Sequence, residues 1–178
     1  MFRHISLIIC LVVLMTFITT TITEAFGPQN PPVGFHDLSW GVDIGNMKGF
    51  KLEKSDKYGK YYSRNKEDLV FEGIALKSVT YKTFENKFHM VALTFEGQSN
   101  FEKLVSNSKN KFGEYSELKS EHGFNKDIEY SWYFYYFGKG EKKHMATVRL
   151  KYNFDTNKGE FSSSNMQYGP PLSIYFNK

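Results

Sequence analysis

The sequence predicts a single α+β domain, residues 35–178, with a mainly antiparallel sheet of six to eight strands and one main helix at about 99–112. Seven aromatic rings fall between Ile128 and Phe137, and a second alternating run follows from Met145 to Phe154. This pattern indicates a long β-hairpin at the centre of the fold. Helical spacing of apolar residues is clear only once, and 178 residues leave room for one core.

Residues 1–25 have the layout of a secretory signal peptide. A short positive start containing Arg3 precedes an apolar stretch at 5–18, and Ala25 ends a small-residue cleavage pattern. The alternative is an uncleaved anchor, but a membrane span needs about 20 apolar residues, and threonines interrupt this one from Thr19 onward. We therefore expect a periplasmic or secreted protein without a stable transmembrane span after cleavage. Residues 26–34, which contain three prolines, should form an extended lead-in.

Composition narrows the range of partners. Cys10 is the single cysteine and lies in the signal segment, so the mature chain has no disulfide and no thiol nucleophile. The net charge is +4, but basic and acidic residues are interspersed, as in the run 51–57. A nucleic-acid-binding protein usually shows a clustered basic stripe. We therefore expect no nucleic-acid partner.

The first half of the domain predicts short strands and a hairpin. Glycines at 41, 45 and 49 limit any helix at 42–48 to a short, weak one, and the runs 50–52, 58–63 and 69–71 are candidate strands. Two β-rich runs, 77–84 and 87–95, flank the dipeptide Glu85-Asn86, which indicates a tight hairpin. The second run is apolar on both faces, including His89 on one and Phe88 on the other. Such a strand is usually central and covered on both sides.

The period then changes to that of a helix. Ser99 and Glu102 have the spacing of a capping box, and Gly113 suits the helix end. One helical face carries the residues Phe101, Leu104, Val105, Ser108 and Phe112. Residues 115–126 and 155–169 are predicted to be polar connections, and 172–176 a closing strand after Pro170-Pro171.

No catalytic, cofactor-binding or metal-binding residue is predicted, and we expect no cofactor. The histidines of the domain show no metal-ligand spacing, and His89 should be a packed, hydrogen-bonded core residue. His36-Asp37 has the composition of a base with its orienting carboxylate, but adjacent side chains rarely point together. Glu129 is the nearest case of an acid inside an apolar run, and it falls on the less apolar hairpin face.

The hairpin offers a candidate binding surface. Alternation assigns Tyr130, Trp132, Phe134 and Tyr136 to the core, and it places Tyr133 and Tyr135, with Phe137 near the turn, on the opposite face. We expect the less apolar face of the first strand to coincide with the polar face of the returning strand. This places Arg149 and Lys151 on the same face as Tyr133 and Tyr135. Tyrosine beside arginine is the composition of binding hot spots. The alternative is plain cross-strand packing of rings over the arginine and lysine stems, and this is the more common situation.

Several motifs occur in a familiar order between residues 35 and 113. They are Phe35-x4-Trp40-Gly41, Gly49-Phe50-Lys51-Leu52, Tyr61-Tyr62-Ser63-Arg64, Leu69-x-Phe71-x-Gly73-Ile74, Tyr81, Lys87-Phe88, Phe95-Glu96-Gly97, Asn100-Phe101-x-x-Leu104 and Phe112-Gly113. With them the chain resembles a loose group of small exported bacterial proteins of unknown function. The resemblance implies a bacterial, extracytoplasmic setting and carries over no catalytic residue.

These observations lead to an expected function of a general kind. We expect a non-catalytic protein of the envelope or the secreted fraction that binds an unknown protein or envelope component through a sheet face. The alternative is a small-ligand or carbohydrate binder that uses an aromatic cleft, and an enzyme of unrecognised type is a third. A deep apolar cavity would favour the small ligand, convergent titratable side chains would favour the enzyme, and an exposed Tyr/Arg patch would favour the macromolecular partner.

Overall fold

The computed structural model describes residues 31–120, 127–137 and 143–171. The strands are β1 (Gly34–Phe35), β2 (Leu38–Ser39), β3 (Phe50–Asp56), β4 (Gly59–Arg64), β5 (Val70–Phe71), β6 (Ile74–Phe84), β7 (Lys87–Glu96), β8 (Ser116–Ser120), β9 (Asp127–Phe137), β10 (Lys143–Asn153) and β11 (Lys158–Asn165). A 3₁₀ turn covers Ile44–Asn46, and the helix α1 covers Gln98–Phe112. The predicted signal peptide, most of the lead-in and the closing strand 172–176 lie outside the described residues.

Eight strands pair in the order β3-β4-β6-β7-β11-β10-β9-β8, and β5 pairs beside them with β6. The pairings are antiparallel. The predicted single α+β domain, with a large antiparallel sheet and one main helix, is confirmed. None of the described helices is long and apolar enough to cross a membrane.

The sequence interpretation was wrong for β8 and β11, which were expected to be polar connections. β11 is central, because it joins β7 to β10. Its glycine is required by the packing, because a Cβ atom at Gly159 would lie 2.2 Å from the Phe95 ring. Ser162 and Ser163 are buried despite their polarity. Position in the sheet therefore overrides the low β-propensity of this segment.

One face of the sheet and α1 enclose the core. Cross-strand partners on that face include Trp132, Val148, Ser163, Val91 and Tyr81. The helix buries Phe101, Leu104, Ser108 and Phe112 against the sheet, as its period predicts. The face opposite α1 is called the open face below.

The ends of α1 agree with the sequence at one terminus only. The Gly113 N–H donates to the Lys109 carbonyl with a φ of 83°, as expected for a glycine that ends a helix. At the start, however, the cap residue is Gly97 and no side chain caps it, so the predicted Ser99 capping box is wrong. Asn100 instead donates to the Glu96 carbonyl over 2.7 Å.

The strand β7 is central, but no element of the described part of the chain covers its second face. Its register skips His89 between Met90 and Phe88, and this bulge lets Phe88 join the core, where its ring lies 4.8 Å from that of Trp40. Met90 and Ala92, on the open face, are only half-buried. The expected double cover of this strand is therefore not found among the described residues, which leave a sheet surface open beside it.

Candidate binding surface

The hairpin register places the four candidate residues on the open face. Tyr133 is opposite Thr147, and Tyr135 is opposite Met145. Arg149 and Lys151 follow on the same face, opposite Ser131 and Glu129. Tyr135 is 59% exposed, whereas Tyr133 is half-buried. No described element covers Tyr135.

The two cations and the two tyrosines form separate groups. The Lys151 Nζ lies 3.0 Å from the Glu129 Oε2, and the Arg149 Nε lies 3.8 Å from Oε1. The Ser131 hydroxyl also donates to Glu129 over 3.1 Å. Glu129, only 17% exposed, is therefore the centre that holds both cations. The tyrosines lie closer to the C-terminal end of β9.

Small hydroxyl residues form the middle of the open face. Thr94 and Ser78 share a hydrogen bond of 2.7 Å, as do Thr147 and Ser164. Ser162 is buried between the flanking strands. Side chains of this size leave the centre of the face low, with larger groups at both ends.

A charged cleft of about 940 Å³ lies at the end of the open face remote from the tyrosines. The ends of five strands, β6, β7, β9, β10 and β11, supply its walls. Its polar lining consists of Glu96, Asp127, Glu129, Glu160, Lys77, Lys151, Lys158, Thr94, Asn153 and Thr156. The rest of the lining is Phe95, Ile128, Tyr152 and Gly159, residues that alternate with these along the strands and belong to the core side.

Charges of opposite sign alternate across the cleft. Lys151 lies in register between Glu129 on β9 and Glu160 on β11. Lys158 lies opposite Glu96, whose carboxylate is 2.8 Å from the Lys77 ammonium. The hydrogen bond from Lys77 lowers the pKa of Glu96. The cleft therefore offers both signs of charge to a ligand.

The chemistry of this cleft suits binding better than catalysis. Titratable side chains do converge, as an enzyme requires. They converge as compensating pairs, however, whereas a catalytic acid or base usually sits where apolar burial or a like charge retunes it. Within the described residues, no group of three or more His, Cys, Asp or Glu side chains could hold a metal ion.

The histidine interpretations are corrected in part. His89 is packed in the core at 3% exposure, but neither ring nitrogen has a hydrogen-bond partner among the described residues. Burial, with a smaller effect of the Lys82 charge, lowers the pKa of His89 to about 4. The predicted hydrogen bonding of this ring is therefore not found.

His36 and Asp37 do not act as a pair. Asp37 accepts two hydrogen bonds from Arg64, of 2.7 and 2.8 Å. The His36 ring stacks on Phe35, and its Nδ1 lies 3.8 Å from the Glu67 Oε1. The Glu67 contact could not be predicted from the sequence, because His36 and Glu67 are far apart in the chain and meet only through the fold.

Most residues of the charged cleft were missed as well. Glu160 and Lys158 belong to β11, which was not predicted as a strand. Their position on one face of the sheet could therefore not be predicted. The cleft would have been detectable only if Lys158-Gly159-Glu160 had been interpreted as part of a strand. Comparisons with known proteins add no assignment: no protein-family model matches the chain, and no curated protein or solved structure is significantly similar to it.

Proposed function

We propose that this protein is a non-catalytic extracytoplasmic binding protein that recognises a macromolecular partner through the open face of its sheet. The pattern of residues 1–25 and the resemblance to exported bacterial proteins support the location. The observation that carries the binding role is the open face itself, which extends from the charged cleft to Tyr135 and lies opposite α1.

The lining of the open face favours an extended polypeptide with charges of both signs. Alternating lysines and carboxylates can pair with either sign, and complementary charge chiefly determines specificity and association rate. Exposed tyrosine and arginine are enriched among the residues that dominate binding energy. Tyr135 and Arg149 supply both residue types on one strand pair.

The test compares two double variants in a pull-down from envelope and secreted fractions. Tyr135→Ala with Arg149→Ala removes the largest exposed groups of the open face. Leu52→Ala with Lys51→Ala is the matched control, because it removes an exposed apolar group and an exposed cation from the edge strand β3. We expect the first variant to lose affinity for the recovered partner by about tenfold or more, while the control keeps it. Equal recovery with both variants would contradict the proposal.

A small polar ligand in the charged cleft is a second candidate. The cleft volume of about 940 Å³ falls within the range of known ligand sites, about 300–1,000 Å³. Its charged walls favour a zwitterionic ligand over the stacked sugar that an aromatic cleft would bind. Thermal unfolding with amino acids and short peptides tests this, since a ligand that binds only the folded state raises the Tm. A Glu160→Gln variant should reduce that rise in Tm. An unchanged rise would exclude the cleft as the binding site of the ligand.

A further inference from the structure

A group of lysines, dispersed in the sequence, meets at one end of the sheet. The β3–β4 and β6–β7 turns lie side by side there, because Lys60 on β4 pairs with Thr83 on β6. The Lys60 ammonium donates to the side-chain Oδ1 of Asn86 over 2.9 Å and joins the two turns. We call this end the lysine tip, and it comprises Lys54, Lys57, Lys60, Lys82 and Lys87.

The cations of the lysine tip crowd two tyrosine rings. The ammonium groups of Lys54 and Lys82 each lie 5.1 Å from the centre of the Tyr61 ring. Lys57 and Lys82 lie 4.9 and 5.9 Å from the centre of the Tyr58 ring. Like charges held over the same ring repel each other, and an anion between them would relieve the repulsion.

Acidic residues compensate this charge only in part. Asp56 forms a 2.9 Å ion pair with Lys54. Lys82 is half-buried, and burial lowers its pKa, with Asp56 opposing the effect and Lys54 adding to it. Five lysines against the two acids Asp56 and Glu85 leave a local charge of +3, out of +4 for the whole chain.

We infer that the lysine tip is a docking surface for the anionic phosphate headgroups of a phospholipid membrane. Clustered lysines are attracted to anionic lipid surfaces, and tyrosine rings are enriched at headgroup level. The tip combines both, with the half-buried Phe84 beside the second turn. A nucleic acid would instead be expected to follow a basic stripe along a face or groove, whereas these lysines surround the ends of two turns. The inference does not depend on the partner proposed for the open face.

The experiment is vesicle co-sedimentation with residues 26–178, which contain every described strand, the helix and the whole described core. The probes are vesicles of phosphatidylcholine alone and of phosphatidylcholine with phosphatidylglycerol, at low and high salt. We expect binding only to the anionic vesicles, weakening as salt rises. The variant Lys54→Gln, Lys57→Gln, Lys87→Gln changes three exposed lysines, and its binding should fall by about tenfold or more.

The matched control is Lys103→Gln, Lys109→Gln, Lys111→Gln, which removes the same charge from exposed positions of α1. It should keep most of the vesicle binding, and circular dichroism should show both variants folded. Equal loss in the two variants would mean that only the net charge matters, and this would overturn the inference. Absence of binding to anionic vesicles would also overturn it. A third result would overturn it as well: the protein binds a DNA duplex more tightly than anionic vesicles at the same salt, and the Lys54→Gln, Lys57→Gln, Lys87→Gln variant abolishes that DNA binding.

Discussion

His89 is a titratable ring that the fold holds in its neutral form. Its pKa in the folded chain is about 4, below the ordinary value of 6.5, mainly because burial penalises the charged ring. A histidine of this kind binds its proton more tightly in the unfolded chain. Its contribution to stability is therefore complete above pH 6.5 and is lost as the pH falls toward 4. A shift of this size corresponds to about 3 kcal/mol.

The prediction compares the wild type with His89→Gln in urea unfolding between pH 7 and pH 4. The difference in unfolding free energy between the two proteins should move in favour of the variant by up to about 3 kcal/mol as the pH falls. Carboxylates that titrate in the same range affect both proteins and cancel in the difference. Parallel pH profiles would show that the ring does not titrate in this way.

At the scale of elements, the β6–β7 hairpin gives a sharp test. Glu85 and Asn86 both have positive φ angles, 49° and 63°, as in the tight turns that favour Asn-Gly. An ordinary side chain in the left-handed region costs about 1–2 kcal/mol, and asparagine tolerates it better. We expect Glu85→Asn to raise the free energy of unfolding by about 0.5–1 kcal/mol. Glu85→Gln is the control, because it removes the same charge without the turn preference. A similar effect of both substitutions on the urea midpoint would contradict the turn argument.

The sequence predicted correctly those elements whose own residues carry a clear periodicity or turn motif. The period of Phe101, Leu104 and Phe112 located α1, and Glu85-Asn86 located the hairpin turn. β11 was missed because Gly159 and the serines that follow carry almost no strand signal of their own. Gly159 is needed there because Phe95 on the next strand leaves no room for a larger residue at position 159.

At the scale of the molecule, the candidate site was only partly predictable. Alternation in one hairpin placed Tyr133, Tyr135, Arg149 and Lys151 on a single face, and the register agrees with this. The charged cleft needs the ends of five strands, including β11, and the lysine tip needs two hairpins side by side. Neither arrangement can be deduced before the strand order is known. At the lysine tip, charges that are interspersed in the sequence therefore become clustered on the surface, whereas in the charged cleft they stay interspersed.

The same strand order joins the N-terminal arm, residues 34–42, to the core and predicts one cooperative transition. Phe35, Leu38 and Trp40 belong to the same buried cluster as Trp132. The Gly41 N–H donates to the Phe88 carbonyl over 2.7 Å, and the Phe88 N–H donates to the Val42 carbonyl over 2.8 Å. Opening the arm would expose Phe88 and its neighbours, so the arm should unfold only with the sheet.

Two single-tryptophan variants check this. Trp132→Phe leaves Trp40 to report on the arm, and Trp40→Phe leaves Trp132 to report on the central hairpin. Within each variant, the urea midpoints from tryptophan fluorescence and from far-UV circular dichroism should coincide, because one core has one transition. Comparing two probes within one protein removes the cost of the substitution itself. A Trp40 fluorescence midpoint at lower urea than the circular dichroism midpoint would show that the arm detaches first, and that the aromatic anchors at its base are not part of the cooperative core.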